Sequence, residues 1–215
     1  MSQILPARKG NLKEKHLATK CSLGRTANCA AFIFTEYKMN EGKKFEAAFK
    51  KSIPDYAMLY RLPDAAQSFN QSENLRFSRK NPFDFFLFDA PRGRLFGIEA
   101  KSVSGKSVSF ERDKNDTGII HYHQIQGLNN YNKYENSVFG FVIEFREIET
   151  TVFIDIDNFN SLLDKIKKKS FNFNDLKNSG LQYYVIPQKK KRTQYTYDID
   201  YLLTTINEEK EKRYG

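Results

Sequence analysis

Tryptophan is absent, and cysteine, histidine, methionine and proline are scarce, at two, three, three and six in 215 residues. The two cysteines, Cys21 and Cys29, are too few and too close together to build a disulfide framework, which fits a reducing, cytoplasmic setting. With His16 they offer only three zinc donors at a spacing that matches no common finger, so a zinc site is not expected there. No run of about 18 apolar residues occurs, so no segment is expected to span a bilayer. Met1–Lys20 also lacks the apolar stretch of a secretory signal. Acid is nearly missing from the first part of the chain: Arg8, Lys9, Lys13, Lys15, Lys20 and Arg25 face only Glu14 before Glu36. No helical or alternating period persists there, so residues 1–39 read as a flexible basic arm, or equally as an idle terminus. Neither an internal repeat nor a low-complexity linker is visible.

What is present is ordinary globular material, with 40% hydrophobic and 28% charged residues and aromatic content carried by 19 Phe and 12 Tyr. The length suits one domain with a real core plus tails. Lys and Arg (35) outnumber Asp and Glu (26), giving a net charge of +9. That excess favours a polyanionic partner: nucleic acid first, through counterion release, with an anionic membrane surface as the competitor.

From Asn40 a helix is well signalled, with Asn40 able to cap, Phe45, Ala48 and Phe49 on one face and Pro54 beyond its end. A strand is expected at Met58–Leu62, followed by a polar excursion over residues 63–80. Phe83–Phe88 and Leu95–Ala100 are short apolar runs around Pro91, Arg92 and Gly93, which predicts a hairpin. Ser102–Thr117 reads as a loop with a short extended piece at Ser107–Phe110, and His121–Tyr134 as a second helix. Val138–Phe145 and Thr151–Ile156 predict another hairpin, followed by a lysine-rich helix at Ile156–Lys168, a strand at Leu181–Ile186 and a terminal helix at Ile199–Ile206. This order describes an α/β domain with a mixed sheet over residues 40–210.

The chemistry-bearing feature is an acid within one apolar strand, Asp84, and an acid two residues before a lysine on the next, Glu99-Ala100-Lys101. Side chains alternate along a strand, so Glu99 and Lys101 share a face, and hairpin pairing can bring Asp84 beside them. A carboxylate in apolar surroundings needs compensation, and a hard divalent cation suits a pair of carboxylates, with water and substrate phosphate completing its shell. Glu46, on the first helix, can reach the same edge as an outer or second-metal ligand. Each residue also has a structural reading: Asp84 and Lys101 as an ion pair, Glu99 and Lys101 as an exposed strand pair, and Glu46 as a solvated helix residue beside Lys43 and Lys50.

The series Gly42-Lys43-Lys44-Phe45-Glu46, Pro82-Phe83-Asp84-Phe85, Gly97-Ile98-Glu99-Ala100-Lys101 and His121-Tyr122-His123-Gln124-Ile125, with Ser109-Phe110 between the last two, resembles the RecU-type Holliday junction resolvases. The resemblance runs from about Asn40 to Ile206. It implies a PD-(D/E)xK, restriction-endonuclease-like core, an α/β fold whose mixed central sheet is flanked by helices, with a projecting stalk and a flexible basic N-terminal arm. By that resemblance Asp84 and Glu99 are the metal ligands for Mg²⁺, or Mn²⁺ as a substitute. Lys101 orients the attacking water, Gln124 lies near the scissile phosphate, and Glu46 is the helix-borne acid of the superfamily. Residues 63–80 correspond to the stalk, where Phe69 and Phe77 would stack on open bases and Arg76, Arg79 and Lys80 would meet phosphates. His121 and His123 take positions that are DNA-facing or structural.

The implied activity is metal-dependent cutting of four-way DNA junctions by a homodimer, in recombination and repair and alongside recombination proteins. A restriction or repair endonuclease of the same fold and a non-catalytic nucleic-acid-binding protein are the alternatives. Two departures stand out. Asn81-Pro82-Phe83 replaces the small hydroxyl residues usual before the Asp, and the Ser102–His121 segment departs from the family's length. The basic runs Lys167–Lys169 and Lys189–Arg192 can line a DNA channel or be solvated faces.

Overall fold

The Asn40 side chain accepts a hydrogen bond from Gly42 N at 3.2 Å and starts helix α1, Glu41–Lys51. The computed structural model describes residues 40–63, 81–192 and 194–214. The expected basic arm, His16, Cys21, Cys29 and the expected stalk beyond Pro63, including Phe69, Arg76, Phe77, Arg79 and Lys80, lie outside the described residues.

The buried stripe of α1, Phe45, Ala48 and Phe49, packs on one face of a six-stranded sheet. The strands are β1 (Ala57–Arg61), β2 (Phe85–Asp89), β3 (Arg94–Val103), β5 (Ser137–Phe145), β6 (Thr150–Asp155) and β8 (Tyr184–Ile186), hydrogen-bonded in that order. β3 and β5 run parallel and every other neighbouring pair runs antiparallel, so the sheet is mixed. The parallel pair needs a crossover. It is supplied by the short strand β4 (Ser107–Ser109) and helix α2 (Tyr122–Tyr131).

Helix α2 and helix α3 (Ile156–Lys165) cover one face through Ile125, Leu128, Phe159 and Leu162, which meet Phe83, Phe139, Phe141 and Ile143. α1 and the terminal helix α5 (Ile199–Tyr214) cover the other face, meeting Phe85, Leu87, Ile98 and Val142. Burial on both faces explains why β5 reads as an almost unbroken apolar run. Among the described residues no helix is long and apolar enough to cross a membrane.

The sequence-level elements are found with shifted ends. β3 extends to Val103, α2 stops at Tyr131, α3 stops at Lys165 and α5 runs on to Tyr214. Strand β7 (Ser170–Asn172), helix α4 (Phe173–Asn178) and the hairpin of β9 (Gln188–Lys190) with β10 (Tyr195–Tyr197) carried too short an apolar pattern to be foreseen.

One position is corrected. Asp84 stands just ahead of β2 rather than in the middle of a strand. Its backbone is nonetheless fixed on both sides, with Leu62 N donating to its carbonyl at 2.8 Å and its own N–H donating to Ile98 O at 3.1 Å.

Candidate active site

β3 is the spine of the site. Glu99 and Lys101 project from the same face as Val103, toward α2, and Lys101 Nζ lies 2.8 Å from Glu99 Oε1. Across the antiparallel β2–β3 ladder, Asp84 continues the register just beyond the Phe85–Ile98 pair. Its Oδ2 accepts the N–H of Ala100 at 2.9 Å, the peptide between Glu99 and Lys101. Asp84 is thereby pinned to the Glu-x-Lys segment by a main-chain bond.

Gln124 closes the group from α2. Its Oε1 accepts the His121 N–H at 2.9 Å, capping the helix start, and its Nε2 donates to Glu99 Oε1. Glu46 comes from α1, on the other side of the sheet, and is held by Arg61 Nε at 3.0 Å. Asp84, Glu99, Lys101 and Gln124 are thus joined along one end of β3. Glu46 acts on both carboxylates electrostatically. Arg61 is an addition: it follows an apolar run at the end of an edge strand, and nothing in its sequence neighbourhood marks it out.

The electrostatics are dominated by burial. Glu99 is 2% exposed, and loss of water pushes its carboxyl up to about 7, against the pull of Lys101 and with the push of Asp84 and Glu46. Asp84 is also raised, first by burial and then by Glu46, while the Ala100 N–H, Lys101 and Arg61 draw it down. Protein cations therefore leave two neighbouring carboxyls under-compensated. Hard oxygen donors in that state fit Mg²⁺, which takes one or two carboxylates and fills its shell with water and phosphate. Among the described residues no group of three or more His, Cys, Asp and Glu side chains is gathered to hold a metal ion.

Beside the site, Glu111 and the two histidines form a second polar group. His121 Nδ1 meets Glu111 Oε1 at 2.7 Å, and Glu111 Oε2 accepts the Tyr122 N–H at 2.7 Å. The His121 bond, then the Tyr122 N–H, holds the Glu111 carboxyl below its usual range. His121 and His123 lie nearly parallel, with ring centroids 5.5 Å apart and 16° between planes. The basic runs are partly used within the chain, since Lys168 binds Asp175, Lys169 binds Asp116 and Lys190 binds Glu149.

Gly127 couples α2 to the site. A Cβ there would stand 2.6 Å from both Cβ and O of Pro82, two residues before Asp84. Gly127→Ala is therefore expected to push α2 off Pro82 and draw Gln124 away from Glu99. Overpacking of this kind costs roughly 1–3 kcal/mol, read as a lower urea midpoint with an unchanged slope. An unaltered midpoint would refute the close packing.

Another buried acid of the sheet, Glu144, is structural. Glu144, 5% exposed on β5, accepts from Ser102 Oγ at 2.6 Å and from Tyr197 OH at 2.8 Å on the α1 face. Both of its oxygens are satisfied, and it ties the β9–β10 hairpin to the sheet.

No protein-family model matches the chain. Among solved structures, Hjc of Archaeoglobus fulgidus, a Holliday junction resolvase from an archaeal hyperthermophile, aligns at a TM-score of 0.40 with 11% identity, covering 63% of this chain and 92% of that one. Among curated proteins, the SPbeta prophage-derived uncharacterized protein YotM of Bacillus subtilis (strain 168) is 30% identical over 188 residues, spanning 81% of this chain and 90% of the relative. A match of that identity and extent makes this chain a member of the YotM family.

Proposed function

We propose that the chain is a metal-dependent DNA endonuclease of the PD-(D/E)xK type, most similar in motif order to the RecU-type resolvases, which nicks four-way junctions as a homodimer. The observation that carries this reading is the buried Glu99, paired with Lys101 two residues on and flanked by Asp84 through the Ala100 N–H. A desolvated carboxylate pair with an ammonium alongside is costly to keep for packing alone. It is well suited to holding a divalent cation against a phosphodiester.

In this reading Asp84 and Glu99 hold Mg²⁺, for which Mn²⁺ could substitute. Bound there, the ion would supply Lewis acidity to the phosphate and acidify a water at neutral pH. Lys101 would orient that water and offset negative charge as the P–O bond to the leaving sugar oxygen breaks. Gln124 would fix the Glu99 carboxylate, and Glu46, restrained by Arg61, would tune the negative potential of the pair. The excess of basic residues supports DNA as the partner, with phosphate contacts governing selection more than base edges. A junction with two-fold symmetry is met by a two-fold enzyme, one site per subunit.

The test is nicking of a synthetic four-way junction against a matched linear duplex, with and without Mg²⁺. The expected result is Mg²⁺-dependent nicking that favours the junction by tenfold or more, a factor that corresponds to about 1.4 kcal/mol. Linear duplex cut as fast at a defined sequence would make the chain a restriction or repair endonuclease. Binding without any cutting would make it a non-catalytic nucleic-acid-binding protein.

A further inference from the structure

A cleft of about 610 Å³ opens beside the candidate active site, between the start of α2, Pro82 and the loop that follows β4. Its wall carries His121, His123, Tyr122 and Glu111, and its rim carries Lys114, Gln126 and Asn130. Three features give it a definite chemistry. The two imidazoles are nearly parallel and stacked, with His121 47% exposed. The His121 ring is held in its plane by Glu111, whose second oxygen is anchored by the Tyr122 N–H. The floor is Pro82, brought close because residue 127 has no side chain.

We propose that this cleft receives an unpaired nucleobase from the DNA strand that passes the candidate active site, extending the His121–His123 stack. The proposal rests on the reading of DNA as substrate and adds a base subsite to it. Stacking is sequence-tolerant because every base has a π face. The Glu111 carboxylate on the wall repels a phosphate, so the flat face of a base suits this wall better than an anion does. Lys114 at the rim is available to the backbone phosphate, while the Gln126 and Asn130 amides offer donors and acceptors to a base edge. Open strands at a junction crossover supply such bases.

The test uses the full chain without divalent metal, so that cutting plays no part. Binding of a short oligothymidylate is compared with binding of the same strand in which every base is replaced by the tetrahydrofuran abasic analogue. The wild type is expected to prefer the base-bearing strand by about tenfold, the scale of one base–aromatic stack. His121→Ala/His123→Ala is expected to lose that preference, and His121→Phe/His123→Phe to keep it because the rings remain. Equal affinity of the wild type for the two strands would overturn the proposal. So would a preference that survives the alanine pair, or one lost equally in the phenylalanine pair, which would assign the effect to imidazole charge. Since no metal is present, an absence of nicking activity in the junction assay would leave this result intact.

Discussion

Asp84→Asn is expected to lower Mg²⁺-dependent nicking by about a thousandfold or more, as removal of several kcal/mol of charge stabilisation at the phosphate requires. The substitution is nearly isosteric. The new carboxamide oxygen can still accept the Ala100 N–H that Asp84 Oδ2 accepts at 2.9 Å, so the β2–β3 junction should hold. What is lost is one of the two anionic donors. Junction affinity in the absence of metal should stay the same or improve, because a negative charge near the phosphates is gone. A variant with an unchanged urea midpoint and full nicking rate would remove Asp84 from the chemistry and return the site to a structural role.

Glu99→Gln separates stability from activity. The Glu99 carboxyl, raised from 4.5 to about 7 chiefly by burial, holds its proton in the folded protein over a range where the unfolded chain has released it. More protons are bound folded than unfolded between those two values, so its contribution to stability is full below about pH 4.5 and is lost as pH rises toward 7. At about 1.4 kcal/mol per unit the loss is on the order of 3 kcal/mol by pH 8.

The neutral variant keeps the acceptor oxygen for Gln124 and Lys101 and cannot ionise. In metal-free urea titrations at pH 8 it should be more stable than the wild type by up to about 3 kcal/mol, less whatever Lys101 gives up with its ion pair. Below pH 4.5 the two should converge. Mg²⁺ should stabilise the wild type at pH 8, as any ligand of the folded state does, and leave the variant unmoved. The variant should also nick no junction. A variant less stable than the wild type at pH 8 would mean that Lys101 already compensates Glu99, and the case for a missing cation would fail.

Much of this arrangement could be read from residue order because it depends on strand periodicity. Two-residue spacing fixes Glu99 and Lys101 on one face whatever the rest of the chain does, and the Pro91–Gly93 turn dictates that Phe85 and its neighbours pair with β3. The main α/β elements were similarly legible from apolar runs and caps.

What could not be read depends on contacts between distant segments. The position of Asp84 one residue ahead of β2 could not be read, since a run of phenylalanines gives no hint of where pairing begins. Arg61 restrains Glu46 only because β1 lies at the sheet edge beneath α1. Glu144 looks like an out-of-place charge in β5 until Tyr197, 53 positions later, supplies its hydroxyl. Glu111 sits in a segment that reads as loop, and its pairing with His121 depends on how that loop folds back on α2.

The carboxamide of Gln124 binds a main-chain N–H with one end and the Glu99 carboxylate with the other. It has no freedom to flip, because exchanging its ends would set like against like in both bonds. Among side chains of that length glutamine offers an acceptor and a donor at any pH, whereas an ionised glutamate would confront Glu99 with a third negative oxygen pair. The first turn of a helix and the seat of a buried acid are consequently one mechanical unit, in which a displacement at either end is passed to the other.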